Sequence, residues 1–175
     1  YLERKDLHFK TVLDVGAWCG TWSNEMSKYA DTVHAFEPDA LHYECLLKNK
    51  KENVIPHLCA VGSQKAKVSL VENEKNFTQE KRVVPEGDIL MTTVDSFALK
   101  DIDLIKIDVE GYEMEVLNGA SEALAQTTYV MIELNNNSKK YGSSNGQITK
   151  FLTQRGFSQL IRTWPDVVFV NNYTG

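Results

Sequence analysis

The sequence predicts an α/β fold: a doubly wound, mostly parallel sheet with one antiparallel strand near the C-terminus. Three observations predict it. Val12, Leu13 and Val15 form a short apolar strand that breaks on Gly16 and Gly20, and apolar residues then recur at helical spacing through Trp22, Met26, Tyr29 and Ala30. Strand and helix patterns go on alternating along most of the chain. The last two strand patterns flank Trp164-Pro165-Asp166, a hairpin-like ending in which one strand must run against the rest.

The elements follow in order. Residues 1–10 are polar and aromatic and read as the tail of a preceding helix, and residues 32–36 are the second strand, ending at Glu37-Pro38. Asp39 can cap a helix whose apolar face is Leu41, Cys45, Leu46 and Leu47. Residues 54–61 are a third strand, and Val68 to Leu70 an extra one. Residues 72–82 are polar and 83–88 continue as loop, a length that suits a mobile surface loop or a lid over substrate. Residues 91–94 lead to Asp95, and 103–109 form the strongest central strand after the first. Tyr112, Val116, Leu117, Ala120, Ala123 and Leu124 pattern one amphipathic helix. Residues 129–134 are a buried strand, and a helix capped by Ser144 or Asn145 runs to Gly156. Residues 157–161 and 167–170 close the chain.

Composition narrows the function classes. With 175 residues, 42% hydrophobic and 25% charged, the chain suits one domain over residues 1–175 with a sizeable core. It starts at Tyr1 without a methionine, which fits excision from a longer polypeptide. The formal charge is −5, and the one dense basic patch (Lys48, Lys50, Lys51) sits at a helix end, so nucleic acid is not the expected partner. No apolar run reaches membrane-spanning length and no signal sequence is visible. Cys19, Cys45 and Cys59 are odd in number and lack metal-site spacing, which points to a reducing, cytoplasmic setting without a zinc site.

The glycine bend carries the first chemical signal. A strand that turns on Gly16 and restarts as a helix near Gly20 offers unpaired N–H groups at the C-terminal edge of the sheet, where nucleotide-like ligands bind. Ala17 and Trp18 supply no second close backbone approach, as a pyrophosphate would need, and Asp14, expected to point into the crevice, favours a cationic group. The inferred ligand is S-adenosylmethionine, with its ammonium and sulfonium. Glu37, at the tip of the second strand before Pro38, can accept hydrogen bonds from a ribose. NAD would use the same acid, which leaves an NAD-dependent oxidoreductase as the alternative. Ala60 and Val61 could line an adenine slot.

Residues 104–111 carry the second signal. Period-2 alternation sets Leu104, Lys106 and Asp108 on one face, and Asp108 falls at the strand end beside Asp14. A carboxylate there can hold an ammonium, accept a proton from a hydroxyl or join a metal site. Glu110 and Glu113 open the next helix, where the macrodipole favours negative charge. Lys106, a cation in a buried strand, needs a partner, and Asp95 or Glu133 is expected to supply it. Glu133 is a further acid near the crevice. The bases weighed for a proton are Asp108 and Glu110, then His57. A metal-assisted variant would use Asp108, Glu133, Asn135 and Asn136.

Together these stretches resemble a known family. The motif from Asp14 to Gly20, Ala35-Phe36-Glu37-Pro38 with Leu47 and Asn49 behind it, and residues 105–113 with 116–120 are similar to the FkbM-type S-adenosylmethionine-dependent methyltransferases, in the right order from about Thr11 to Leu134. The resemblance implies a Rossmann-like class I methyltransferase fold and methyl transfer to a hydroxyl of a sugar, glycan or secondary metabolite by direct in-line displacement. It implies that Asp14, Gly16, Ala17, Trp18, Gly20, Glu37, Pro38, Ala60, Val61 and Asp108 hold the cofactor, and that Asp108, Glu110 and Glu133 face the transfer. The family usually has Asn where this chain has Trp18, whose indole can stack on or cover the ligand. A non-catalytic S-adenosylmethionine- or carbohydrate-binding module is the remaining alternative.

Overall fold

The computed structural model describes residues 7–72 and 81–173. The main sheet contains β1 (Phe9–Val15), β2 (Ala30–Phe36), β3 (Val54–His57), β8 (Ile102–Ile107), β9 (Tyr129–Glu133), β10 (Phe157–Thr163) and β11 (Asp166–Asn171), in the order β10-β11-β9-β8-β1-β2-β3. Only β11 runs against the others, because it pairs antiparallel with both β9 and β10. This is the predicted doubly wound sheet with one reversed strand. A second sheet, β4-β7-β5-β6, gathers β4 (Ala60–Val61), β5 (Ala66–Glu72), β6 (Lys81–Pro85) and β7 (Ile89–Thr92).

The central strands are buried on both faces, as parallel strands are. Leu13, Val15, Ile105, Ile107 and Ile132 face α3 (Glu113–Asn118), α4 (Ser121–Gln126) and α5 (Asn145–Thr153), and meet Val116, Leu117, Leu124, Ile148 and Leu152. Val12, Val33, Ala35 and Leu104 face the other way, toward Met26 of α1 (Thr21–Met26) and Leu46 of α2 (Ala40–Asn49). Each such side chain contributes about 1.5–3 kcal/mol by leaving water. Asp39 caps α2 as expected, accepting from the N–H groups of Leu41 and His42, and Ser144 caps α5.

Several elements depart from the sequence reading, each for a tertiary reason. The first helix stops at Met26, because Ala30 already pairs with Phe9 in the sheet. Residues 9 and 10 open β1 rather than ending a helix, while residues 1–6 lie outside the described residues. The third strand divides at Leu58 and Cys59, and its second half joins the smaller sheet through Met91 and Thr92. Residues 81–85, expected as loop, are a strand paired with β5; the polar stretch 73–80 lies outside the described residues. The helix expected over 112–124 is two helices. Asp95 accepts from the N–H groups of Glu122 (3.0 Å) and Ala123 (2.9 Å) and so starts α4 afresh.

Gly119 sits at that break, and a Cβ there would collide with the Gly62 carbonyl oxygen. Backbone cannot yield as a flexible side chain can. Gly119→Ala is therefore expected to cost about 1–3 kcal/mol, read as a lower urea midpoint with an unchanged slope. An unchanged midpoint would show that the helix pair is free to shift.

Candidate active site

A cavity of about 560 Å³ opens at the C-terminal ends of β1, β2 and β8, the edge where open α/β sheets bind ligands. The turn after β1 gives it Gly16 and Trp18, the turn after β2 gives Glu37, Pro38 and Asp39, and the turn after β8 gives Asp108, Val109 and Glu110. Phe36, Ala60 and Val61 make an apolar wall.

Gly16 is required by the close approach of two turns. Its φ is +87°, and a side chain there would collide with the carbonyl oxygen of Asp108. The N–H groups of Gly16 and Ala17 both donate to the Phe36 carbonyl (3.1 and 3.0 Å), that of Gly20 to Ala17, and that of Trp18 to Glu37. Three of these donors are therefore spent on the end of β2 and the fourth within the loop, contrary to the expected row of unpaired N–H groups. Ala17 and Gly20 lie off the cavity wall; Gly20 packs on Leu46 of α2. Trp18 adopts a left-handed φ of 49°, uncommon for a bulky residue, and its half-exposed indole meets His42 edge-on at 6.1 Å.

Glu37 is 6% exposed, and its two oxygens accept from the N–H groups of Trp18 (2.8 Å) and Asp39 (2.9 Å). Burial pushes its carboxyl up, against the pull of those two N–H groups. Each oxygen keeps a further lone pair for a ligand.

Asp14 does not reach the cavity. It is fully buried, with Ser23 Oγ donating to one oxygen at 2.5 Å and Lys106 Nζ lying 3.4 Å from the other. The cause is register: Asp14 stands directly across from Lys106 in the β1–β8 pair. The same ammonium lies 3.2 Å from Asp108. Lys106 thus pairs with Asp14 and Asp108, not with Asp95, which caps α4, or with Glu133, which accepts from Asn135 at 2.7 Å. Burial opposes the Lys106 charge, but the two carboxylates outweigh it and raise the lysine above its ordinary value. Burial pushes Asp14 up as well, against Lys106 and Ser23.

Asp108, Glu110 and Glu133 do come together, with carboxylate oxygens within 4.8 Å of one another. Three acids so close can hold a hard cation or share a proton. Glu110, at a φ of 55°, accepts from Asn137 at 3.0 Å. Burial, then the charges of Asp108 and Glu110, push Glu133 up to about 8. Asp166, paired opposite Glu133 in the β9–β11 register, adds to that push. Glu113 is buried and turns back to the Gly111 N–H at 2.8 Å, a helix-start role. His57 stacks on Phe36 and His34 away from the cavity, and burial lowers it to about 4.

One wall comes from the stretch whose sequence suits a surface loop or a lid over substrate, and its strand pairing was not expected. Leu70, Lys81 and Val83 of the β5–β6 pair line the cavity, and Lys81 Nζ reaches Asp39 at 2.6 Å across its mouth. Tyr141 donates its hydroxyl to the Val83 carbonyl at 3.1 Å. The alternation at Val68 and Leu70 signalled β5, but nothing local signalled its partner.

A family model described as methyltransferase FkbM domain matches residues 14–158. The chain belongs to the FkbM methyltransferase family. The family uses S-adenosylmethionine as its methyl donor. Hexuronic acid methyltransferase AglP of Haloferax volcanii is 29% identical over 154 residues, which cover 83% of this chain and 62% of AglP. The crystal structure of methyltransferase FkbM from Methylobacillus flagellatus matches with a TM-score of 0.64 at 17% identity, covering 93% of this chain and 43% of that one. The N-methyltransferase NodS from Bradyrhizobium japonicum, solved with S-adenosyl-L-homocysteine, matches with a TM-score of 0.55 at 10% identity, covering 98% of this chain and 81% of NodS. The FkbM chain thus spans less than two thirds of AglP. These likenesses carry the class I methyltransferase fold.

Glu37→Ala is expected to weaken S-adenosylhomocysteine binding by about 2 kcal/mol, roughly thirtyfold, through loss of a charged hydrogen-bond acceptor. Calorimetric titration reads it, and unchanged affinity would remove Glu37 from the binding site.

Proposed function

We propose that this FkbM domain methylates a hydroxyl group of an uncharged sugar, free or within a glycan. The observation that carries the reading is the convergence of Asp108 and Glu110, which line a cavity, with Glu133 behind them off its wall, while the same cavity offers the Glu37 carboxylate and an apolar wall. That acid and that wall suit the nucleoside of the cofactor: Glu37 for ribose hydroxyls, Phe36, Ala60 and Val61 for the base, with Trp18 and Pro38 alongside. Asp108, on the wall beside Gly16, suits the ammonium of its amino-acid end. Held there, S-adenosylmethionine would supply an electrophilic methyl group.

The chain's own residues then align and deprotonate the acceptor. A hydroxyl presented to the Asp108–Glu133 pair would give its proton to that pair as its oxygen accepts the methyl group, S-adenosylhomocysteine being the leaving group. Glu110, held by Asn137, fixes the far side of the acceptor. The charges of Asp108, Glu110 and Asp166, which push even Glu133 toward its neutral form, disfavour an anionic acceptor, so an uncharged hexose is preferred to the hexuronic acid in the name of AglP. Three free cysteines support a reducing, cytoplasmic setting, and no described helix is long and apolar enough to cross a membrane.

The direct test incubates the protein with isotopically labelled S-adenosylmethionine and either methyl glucoside or methyl glucuronide, with mass spectrometry for the gain of one methylene. Transfer to the glucoside, lost at least about a hundredfold in Asp108→Asn and indifferent to EDTA, is the expected result. No transfer to either sugar would overturn the acceptor class, preference for the glucuronide would overturn the charge argument, and sensitivity to EDTA would assign the carboxylates to a metal.

The acidic cluster also predicts a pH profile. Glu133 keeps its proton up to about 8, so the stronger base form of the pair appears only above that value. The specificity constant should rise with pH through about 8 and then level. Glu133→Gln should abolish the rise and lower the plateau. A profile flat between pH 7 and 9 would exclude Glu133 as part of the base.

A further inference from the structure

Four side chains form a continuous polar line from α1 to the cavity: Ser23, Asp14, Lys106 and Asp108. Ser23 and Asp14 are fully buried, Lys106 is 7% exposed, and Asp108 opens onto the cavity wall. The ammonium lies 3.4 Å from Asp14 and 3.2 Å from Asp108, and its third direction faces the Trp22 ring at 5.6 Å. One buried carboxylate would be enough to neutralise one buried ammonium. The line instead carries two, and the second is the one exposed to ligand. A buried ion pair is a poor device for stability alone, since apolar residues of similar size often do as well. Glu110 and Glu133 meanwhile crowd Asp108 from the other side.

We propose that Lys106 is a positioning residue for methyl transfer: anchored from behind by Asp14 and Ser23, it holds the Asp108 carboxylate at the cavity wall against the repulsion of Glu110. Lys106 touches neither cofactor nor acceptor in this arrangement and acts only through Asp108. The inference rests on the reading of Asp108 given above.

Lys106→Met alone leaves Asp14 buried without a counter-charge and is expected to unfold at a lower temperature. The informative protein is the double variant Asp14→Asn with Lys106→Met, which removes both buried charges and keeps their approximate volume. Its melting temperature should return near that of the parent. Its kcat with methyl glucoside should nevertheless stay down by about a hundredfold, the loss that a misplacement near 1 Å can cause, with KM for the sugar little changed. Calorimetry should show S-adenosylhomocysteine bound roughly tenfold more weakly, since Asp108 no longer faces its amino-acid end squarely. A double variant with parental kcat and parental affinity would overturn the positioning role, because a purely structural pair would be fully replaced. Asp108→Asn, measured alongside, separates the two failures. If it is impaired while the double variant is not, only the role of Lys106 falls; if it too is parental, the assignment of Asp108 falls and takes this one with it.

Discussion

The site depends on how two parallel strands end. β1 and β8 lie side by side with Asp14 opposite Lys106, and two residues later the Gly16 backbone meets the Asp108 carbonyl with no room for a side chain. The first contact places an ion pair inside the sheet; the second brings two turns together above it. One turn carries Trp18 and the other carries Asp108 and Glu110, and all three residues line the cavity. Either strand slipping by one residue would turn every side chain to the other face and separate the pair. Loss of one partner would leave a charge stranded in a region from which water is excluded.

Much of this was legible in the sequence, because it is written locally. Val12 to Val15 and Leu104 to Ile107 are nearly continuous apolar runs, as strands covered on both faces must be. Gly16, Glu37 and Asp108 mark strand ends by type and position, and all three line the cavity. Other features depend on partners far away in the chain. Asp14 looked like a ligand contact because its strand ends at the crevice, but only the β1–β8 register shows that its carboxylate meets Lys106 instead. Asp95 looked like a partner for Lys106 until α4 claimed it as a cap. The break at Gly119 is set by Gly62, a contact that helical periodicity does not register.

The β5–β6 wall is the least legible part, and its reason is compositional. Residues 81–85 begin with Lys81 and Arg82 and end in Pro85, a poor strand signature, and they become a strand by pairing with β5 at the rim of a small sheet. Edge strands tolerate such residues because one side of the ladder has no partner to satisfy. Once paired, the strand is tied to the cap of α2 through Lys81 and Asp39 and to Tyr141 through the Val83 carbonyl. Burial works against the Asp39 charge, but Lys81 and the cap N–H groups outweigh it and hold its carboxyl below the usual range. The contact therefore keeps the Asp39 carboxylate ionised, and weakens with salt only to the extent that solvent reaches it.

The reversed strand β11 has a consequence beyond topology. Running against β9, it sets Asp166 directly opposite Glu133, at the same end of the sheet as Asp108. A parallel strand entering there would present its opposite end to the cavity. The fourth carboxylate is thus a product of the strand's direction, and its charge is one reason Glu133 holds a proton to about 8. On the far side, Lys106 pulls against this accumulation, and burial together with Asp108 still raises Asp166 above its ordinary range. The cluster is then not a surface patch of solvated acids but a set of carboxylates crowded by strand order, in which the state of one proton depends on the positions of all the others.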